Sequence, residues 1–264
     1  MFKIKICGIT SPEDALLAAE AGADAIGLNF YEQSPRYVTP ERAKQIVQSL
    51  DPLRVKLATA QPGGWNGWIF GVCVNKTFDE ARRHSVLAGT ANWQLHGDES
   101  PQVVAGLSRI AKLVDEQGQS YRTFLERRNN PSSSLSKSFA IIRAFRCREP
   151  RMNLIHSYLA ECKDAGALPH AVLLDAYAPG AYGGTGQVVD WNVVRNERDL
   201  LMGLPVILAG GLTPDNVAEA IATARPDAVD VASGVESSPG KKDPDKVRRF
   251  IAEARRAFAE LERG

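Results

Sequence analysis

Four residues at the ends of short apolar runs are of types that can act on a small anionic molecule. Cys7 follows Phe2-Lys3-Ile4-Lys5-Ile6, whose apolar and basic residues alternate with the period of a strand, and Gly8 beside it lets a ligand approach. A thiol placed there can act once ionised, or it can serve as a small apolar filler. Asp175 closes the run Leu173-Leu174-Asp175. A carboxylate after apolar residues is costly unless it is used or lies at a rim, and a loop or helix cap is the other reading. Arg36 is carried on a loop stiffened by Pro35. Its fork can grip a carboxylate through two parallel hydrogen bonds, or it can be a surface cation. His96 shares a strand face with Gln94 and can exchange protons or simply pack. Asp98 and Glu99 read as servants of a helix start at Ser100-Pro101.

Two further runs end in glycine. Val206-Ile207-Leu208-Ala209 leads to Gly210-Gly211, and Asp230-Val231-Ala232 leads to Ser233-Gly234. Glycines let backbone N–H groups converge on phosphate oxygens, and a short helix after the second run can aim its N-terminus there. Tight turns that need positive φ would also account for them.

The elements that position these groups alternate. Apolar runs at 2–7, 25–30, 68–74, 91–95, 139–145, 171–175, 205–209 and 228–232 read as strands. Helical candidates lie near 12–21, 40–50, 77–88, 101–114, 151–165, 190–202, 214–224 and 244–262. Ser11-Pro12, Thr39-Pro40, Ser100-Pro101, Thr213-Pro214 and Asp243-Pro244 each read as a helix start: a capping oxygen, then Pro where no N–H is needed. Three strands are entered alike, at Asp24-Ala25-Ile26, His170-Ala171-Val172 and Asp227-Ala228-Val229. Eight βα units in 264 residues predict an α/β fold, a single (β/α)₈ TIM barrel of parallel strands over 1–264. An open doubly wound sheet would carry a glycine fingerprint after its first strand, and Cys7-Gly8-Ile9-Thr10 is not one. Two segments break the alternation and read as insertions, a Gly- and Pro-rich loop at 53–68 and a polar stretch at 115–138.

Lys+Arg 32 against Asp+Glu 31 leaves a formal charge of +1, which gives no bulk attraction to nucleic acid or an acidic membrane. The four cysteines form no C-x-x-C pair and have no His at ligand spacing, so no metal site is expected, and reduced thiols in a cytoplasmic protein are. The start shows no leader-like apolar region, and no run approaches a membrane span.

Together the pieces Lys5-Ile6-Cys7-Gly8-Ile9-Thr10, Ser34-Pro35-Arg36, Gln94-Leu95-His96-Gly97-Asp98, Leu173-Leu174-Asp175, Gly183-Gly184-Thr185-Gly186, Leu208-Ala209-Gly210-Gly211-Leu212 and Ser233-Gly234-Val235-Glu236-Ser237 resemble phosphoribosylanthranilate isomerase, a (β/α)₈ family of tryptophan biosynthesis. The resemblance runs in order from residue 3 to about residue 255. Val189 departs from the family's aromatic before Asp190-Trp191. The resemblance implies an Amadori rearrangement of a phosphorylated aminosugar by a monomer or homodimer, with no cofactor. It makes Cys7 the base and Asp175 the acid. Arg36 would hold the anthranilate carboxylate and Gly210, Gly211, Ser233 and Gly234 the phosphate, with His96 and Asp230 near the mouth. The sugar isomerase of histidine biosynthesis would carry an Asp in place of Cys7; tryptophan synthase α and indoleglycerol-phosphate synthase would use carboxylate or Lys acids. A broader aminoaldose isomerase and a non-catalytic phosphometabolite-binding barrel are the remaining alternatives. Ordinary values of about 8.5 for Cys and 3.9 for Asp oppose the protonation this chemistry needs, so a bell-shaped pH dependence is expected.

Overall fold

The computed structural model describes residues 1–59, 64–65, 67–90, 92–117, 140–147, 152–176 and 190–263. Its strands are β1 (Ile4–Ile6), β2 (Ala25–Asn29), β3 (Trp68–Cys73), β4 (Asn92–Leu95), β5 (Ile141–Cys147), β6 (Ala171–Ala176), β7 (Val206–Leu208) and β8 (Ala228–Val231). They pair in sequence order and all in parallel, and β1 closes on β8 with Lys5 opposite Asp230. The barrel and its strand list are as the sequence predicts.

Alternation along the strands divides the core in two. Ile4, Ile6, Ile26, Leu28, Val172, Leu174, Val206 and Leu208 point outward and pack beneath the helices. Phe2, Ala25, Phe70, Ile142, Leu173 and Ile207 fill the barrel interior. The residues that follow them inward, Cys7, Gln94, His96, Asp175 and Asp230, therefore rise to the carboxyl end.

The three similar strand entries share one physical role. Asp24 Oδ2 accepts from Ile4 N at 2.9 Å, His170 Nδ1 from Ile141 N at 3.1 Å, and Asp227 Oδ2 from Val206 N at 2.7 Å. Each side chain takes the first N–H of the strand before it, which the parallel ladder would leave unpaired.

Most of the predicted helix starts hold. Ser11 Oγ accepts from Asp14 N, Thr39 Oγ1 from Arg42 N, and Asp243 Oδ1 from Asp245 N and Lys246 N. Thr213-Pro214 is a correction: the helix Val217–Ala224 begins later, after Asn216. Asn216 accepts from Thr213 N at 2.8 Å and donates to Gly211 O at 3.0 Å, which braces the glycine turn. The loop expected at 53–68 is corrected in its first part, where Asp51–Ala58 is helical. Asp51-Pro52 is itself an acid–Pro start. Beyond it Trp65 is buried and its Nε1 donates to Ala23 O at 2.6 Å. The helix Pro101–Gln117 runs into the polar stretch, most of which lies outside the described residues.

Candidate active site

Eight residues singled out from sequence, Cys7, Arg36, His96, Asp175, Gly210, Gly211, Ser233 and Gly234, line one pocket at the carboxyl rim. β1 carries the thiol and β6 the carboxylate. The strands between them around the barrel are β7 and β8, whose loops hold the glycines. Acid and base candidates thus flank the candidate anion cradle.

Cys7 extends the β1 ladder, its N–H donating to Val231 O at 2.8 Å. Gly8 then turns the chain at φ +72°, and a Cβ there would lie 2.5 Å from Arg36 Cδ. Gly8→Ala is therefore expected to displace Arg36 as well as strain the turn, raising KM more than it lowers kcat. Steady-state kinetics on the folded variant decide this, and an unchanged KM would deny the coupling.

Arg36 is aimed by two contacts. Ser34 Oγ accepts from Arg36 N at 3.2 Å, and Nε and Nη2 donate to Glu236 Oε1 and Oε2 at 2.8 and 2.7 Å. The sequence reading missed Glu236. Its bidentate grip uses the side edge of the guanidinium, and the end edge (Nη1 with the outer Nη2 hydrogen) is not part of it. Lys242 Nζ also donates to Glu236 Oε1, at 2.9 Å. Burial raises the Glu236 carboxyl, but the Arg36 hydrogen bonds and Lys242 outweigh it and hold it below its ordinary value. Burial drags the Lys242 ammonium down despite Glu236. The carboxylate is the better served partner, with two cations to Lys242's one anion.

At β4, His96 N donates to Cys73 O at 2.8 Å and Gln94 Nε2 reaches His96 Nδ1 at 3.1 Å. The other ring nitrogen, Nε2, faces Asp175 Oδ2 at 3.2 Å without the alignment of a hydrogen bond. Glu99 does not serve the helix start as the sequence suggested. Its buried carboxylate accepts from Gly97 N at 3.0 Å, from Asn75 N at 2.9 Å and from Arg143 Nη1 at 3.3 Å. Arg143 also donates to Leu95 O and Gly97 O, and lies over the rings of Phe145 and Tyr158. This cluster fixes the end of β4 and so the place of His96. Asp98 instead meets Arg146 at 2.8 Å.

Gly210 and Gly211 have φ of +82° and +65°, so the tight-turn reading holds there. Gly234 is required by proximity: a Cβ would lie 1.8 Å from Leu212 O. The two loops touch, which is what a shared anion cradle needs. The glycine-rich piece Gly183-Gly184-Thr185-Gly186, in the segment after β6, lies outside the described residues.

Beneath Cys7 are two residues whose roles the sequence did not disclose. Lys5 is wholly buried and its Nζ donates to Asp230 Oδ1 at 2.8 Å. Burial raises the Cys7 thiol; Lys5 pulls it down, Asp230 pushes it up, and the balance lies above the ordinary value. Among the described residues no cluster of His, Cys, Asp and Glu could hold a metal ion.

A closed parallel barrel with ionisable side chains and glycine loops at its carboxyl rim is a (β/α)₈ enzyme. A sequence model of the N-(5'-phosphoribosyl)anthranilate (PRA) isomerase family matches residues 4–132 and 125–253. The chain belongs to that family. The N-(5'-phosphoribosyl)anthranilate isomerase of Trichlorobacter lovleyi is 41% identical over 258 residues, covering 98% of this chain and 100% of that protein. The crystal structure of the Thermotoga maritima enzyme matches with a TM-score of 0.67 and 32% identity, over 97% of this chain and 99% of its own. Another isomerase structure, in complex with reduced 1-(o-carboxyphenylamino)-1-deoxyribulose 5-phosphate, matches with a TM-score of 0.65 and 31% identity, covering 97% of this chain and 99% of that one. The chain is accordingly an isomerase of tryptophan biosynthesis acting on N-(5'-phosphoribosyl)anthranilate.

Proposed function

We propose that Cys7 is the general base and Asp175 the general acid of this isomerisation. The observation that carries the assignment is their placement on either side of the β7 and β8 loops, in one pocket. A phosphate held by Gly210, Gly211, Ser233 and Gly234 would leave the sugar spanning the two groups. Asp175 as the acid gives a proton to the furanose ring oxygen and the ring opens. Cys7 as the thiolate takes the C2′ proton, and the electron pair left behind forms the enolamine that rearranges to the ketose. The end edge of Arg36 receives the anthranilate carboxylate. His96, whose Nε2 faces Asp175 at 3.2 Å, orients the carboxyl group between turnovers.

The test is loss of substrate fluorescence when purified protein meets phosphoribosylanthranilate, with the aminoaldose of histidine biosynthesis in parallel. Turnover of the first alone is expected; comparable turnover of both would favour a broader aminoaldose isomerase. Arg36→Ala should raise KM and leave saturated turnover nearly intact. A fall in kcat at constant KM would remove the clamp. The same reading has a monomer or homodimer working in the cytoplasm. No helix among the described residues is long and apolar enough to cross a membrane.

A further inference from the structure

Lys5 and Asp230 have no part in the roles assigned above, yet they lie next to the thiol. Lys5 is wholly buried in the barrel interior, and Cys7 stands two residues on, on the same strand face. A methyl group built on Gly27 of β2 would come 2.6 Å from Cys7 Sγ and 3.1 Å from Lys5 Nζ. Sulfur and ammonium therefore share one small space, which the glycine keeps free of a side chain. Asp230, opposite Lys5 in the β1–β8 register, holds the ammonium at 2.8 Å and stops it from reaching for solvent.

Stability alone does not explain such a pair. A buried ion pair is often no better than two apolar residues of the same volume. Much of the barrel interior near it is filled by apolar groups such as Phe2, Ala25 and Phe70. The other charges facing Cys7 are engaged elsewhere or oppose ionisation. Lys242 of β10 (Lys241–Lys242) and Arg36 of the loop after β2 are both bound to Glu236 of β9 (Glu236–Ser238). Asp230 of β8 and Asp175 of β6 bring carboxyl groups, not cations, and Asp230 pushes the thiol up. Of the influences on the thiol, Lys5 is the largest that favours the charged form.

We propose that Lys5, held in place by Asp230, is a positioning residue that makes the Cys7 thiolate attainable inside the barrel. This rests on Cys7 being the base. Proton balance is simple: the thiol proton leaves through the pocket to water, Lys5 stays an ammonium and Asp230 a carboxylate, and the thiolate then takes the C2′ proton and returns to thiol. A fixed cation beneath the sulfur lowers the cost of the first step and is unchanged by the second.

The experiment reads the thiol apart from isomerisation. Alkylation of Cys7 by iodoacetamide is followed by peptide mass spectrometry from pH 6 to 10, in wild type, Lys5→Met and Lys5→Arg. The double variant Lys5→Met/Asp230→Leu, which orphans no carboxylate, covers failure of the single one to fold. Loss of Lys5 should raise the pH of half-maximal alkylation by about one unit, which is ~10-fold in rate at neutral pH. The double variant should move the same way by less, because Asp230's opposing charge goes too, and Lys5→Arg should recover part of the shift. In kcat, the basic limb should move up and the plateau fall, with KM unchanged. An alkylation profile identical to wild type in folded Lys5→Met, or in the double variant where that one does not fold, overturns the proposal. A wild-type thiol that depends on Lys5, in a protein whose Cys7→Ala variant keeps full kcat on phosphoribosylanthranilate, would overturn the assignment of Cys7 as the base instead.

Discussion

Cys7→Ala and Asp175→Asn should each lower kcat by roughly 10²–10⁴, the usual contribution of one positioned acid or base. KM should move far less, because Arg36 and the glycine loops proposed to hold the phosphate are untouched. Asparagine keeps the shape of Asp175 beside His96, so a loss there reports the missing proton and not a collapsed pocket. The double variant should be little worse than the poorer single one, since the two groups are proposed to serve one proton path. Rapid kinetics on phosphoribosylanthranilate measure this, and full kcat in Cys7→Ala would move the base to another residue. The pH profile carries a second expectation. Burial keeps the Cys7 thiol above its ordinary range, so near neutrality the protonated thiol predominates and the reacting thiolate is a minor form. Activity should follow a bell whose basic limb is the thiol's own titration; a flat profile across the neutral range would count against the pairing.

The second large effect is on folding. Glu236→Ala leaves Arg36 and Lys242 buried without their shared anion. Removing one partner of a buried charge cluster costs about 3–5 kcal/mol, whereas an exposed pair is worth ~1 kcal/mol or less. Urea unfolding should show the larger figure, and a loss under ~1 kcal/mol would mean that water reaches the cluster. The acid dependence has a definite sign. The folded-state pKa of Glu236 lies below the unfolded value of about 4.3, so its stabilisation is present above that pH and is lost as pH falls through the depressed value. Glu236→Gln should be less stable at neutral pH and should lose less on acidification.

The barrel was legible because its signal is periodic: apolar runs alternate with Pro-capped helices, and each run ends at the same rim. The placement of the candidate site was legible where its groups sit at strand ends, as for Cys7, Asp175 and the glycine pairs. What failed to show were groups whose meaning depends on a partner far along the chain. Lys5 reads as one more basic residue in an alternating strand until Asp230, 225 positions away, is placed opposite it. Glu236 looks like a loop acid until Arg36, 200 positions back, is in its grip. Glu99 sits beside a helix start, yet it closes onto Asn75 and Arg143 instead. The short helix at Asp51–Ala58 was obscured by the Gly- and Pro-rich composition that follows it.

The side chains of Asp24, His170 and Asp227 give the barrel a datum edge. Each ties the foot of one strand to the foot of its predecessor. A parallel pair has no hairpin to fix its offset, and a slip by one residue would turn Cys7 or Asp175 from the pocket to the helices. With the offset set at the amino end, the carboxyl rim inherits its alignment from a place that never meets substrate. Loops on the working face can then change length and composition without the strands losing their index. Errors at the feet, by contrast, would surface as misaligned chemistry a full strand length away.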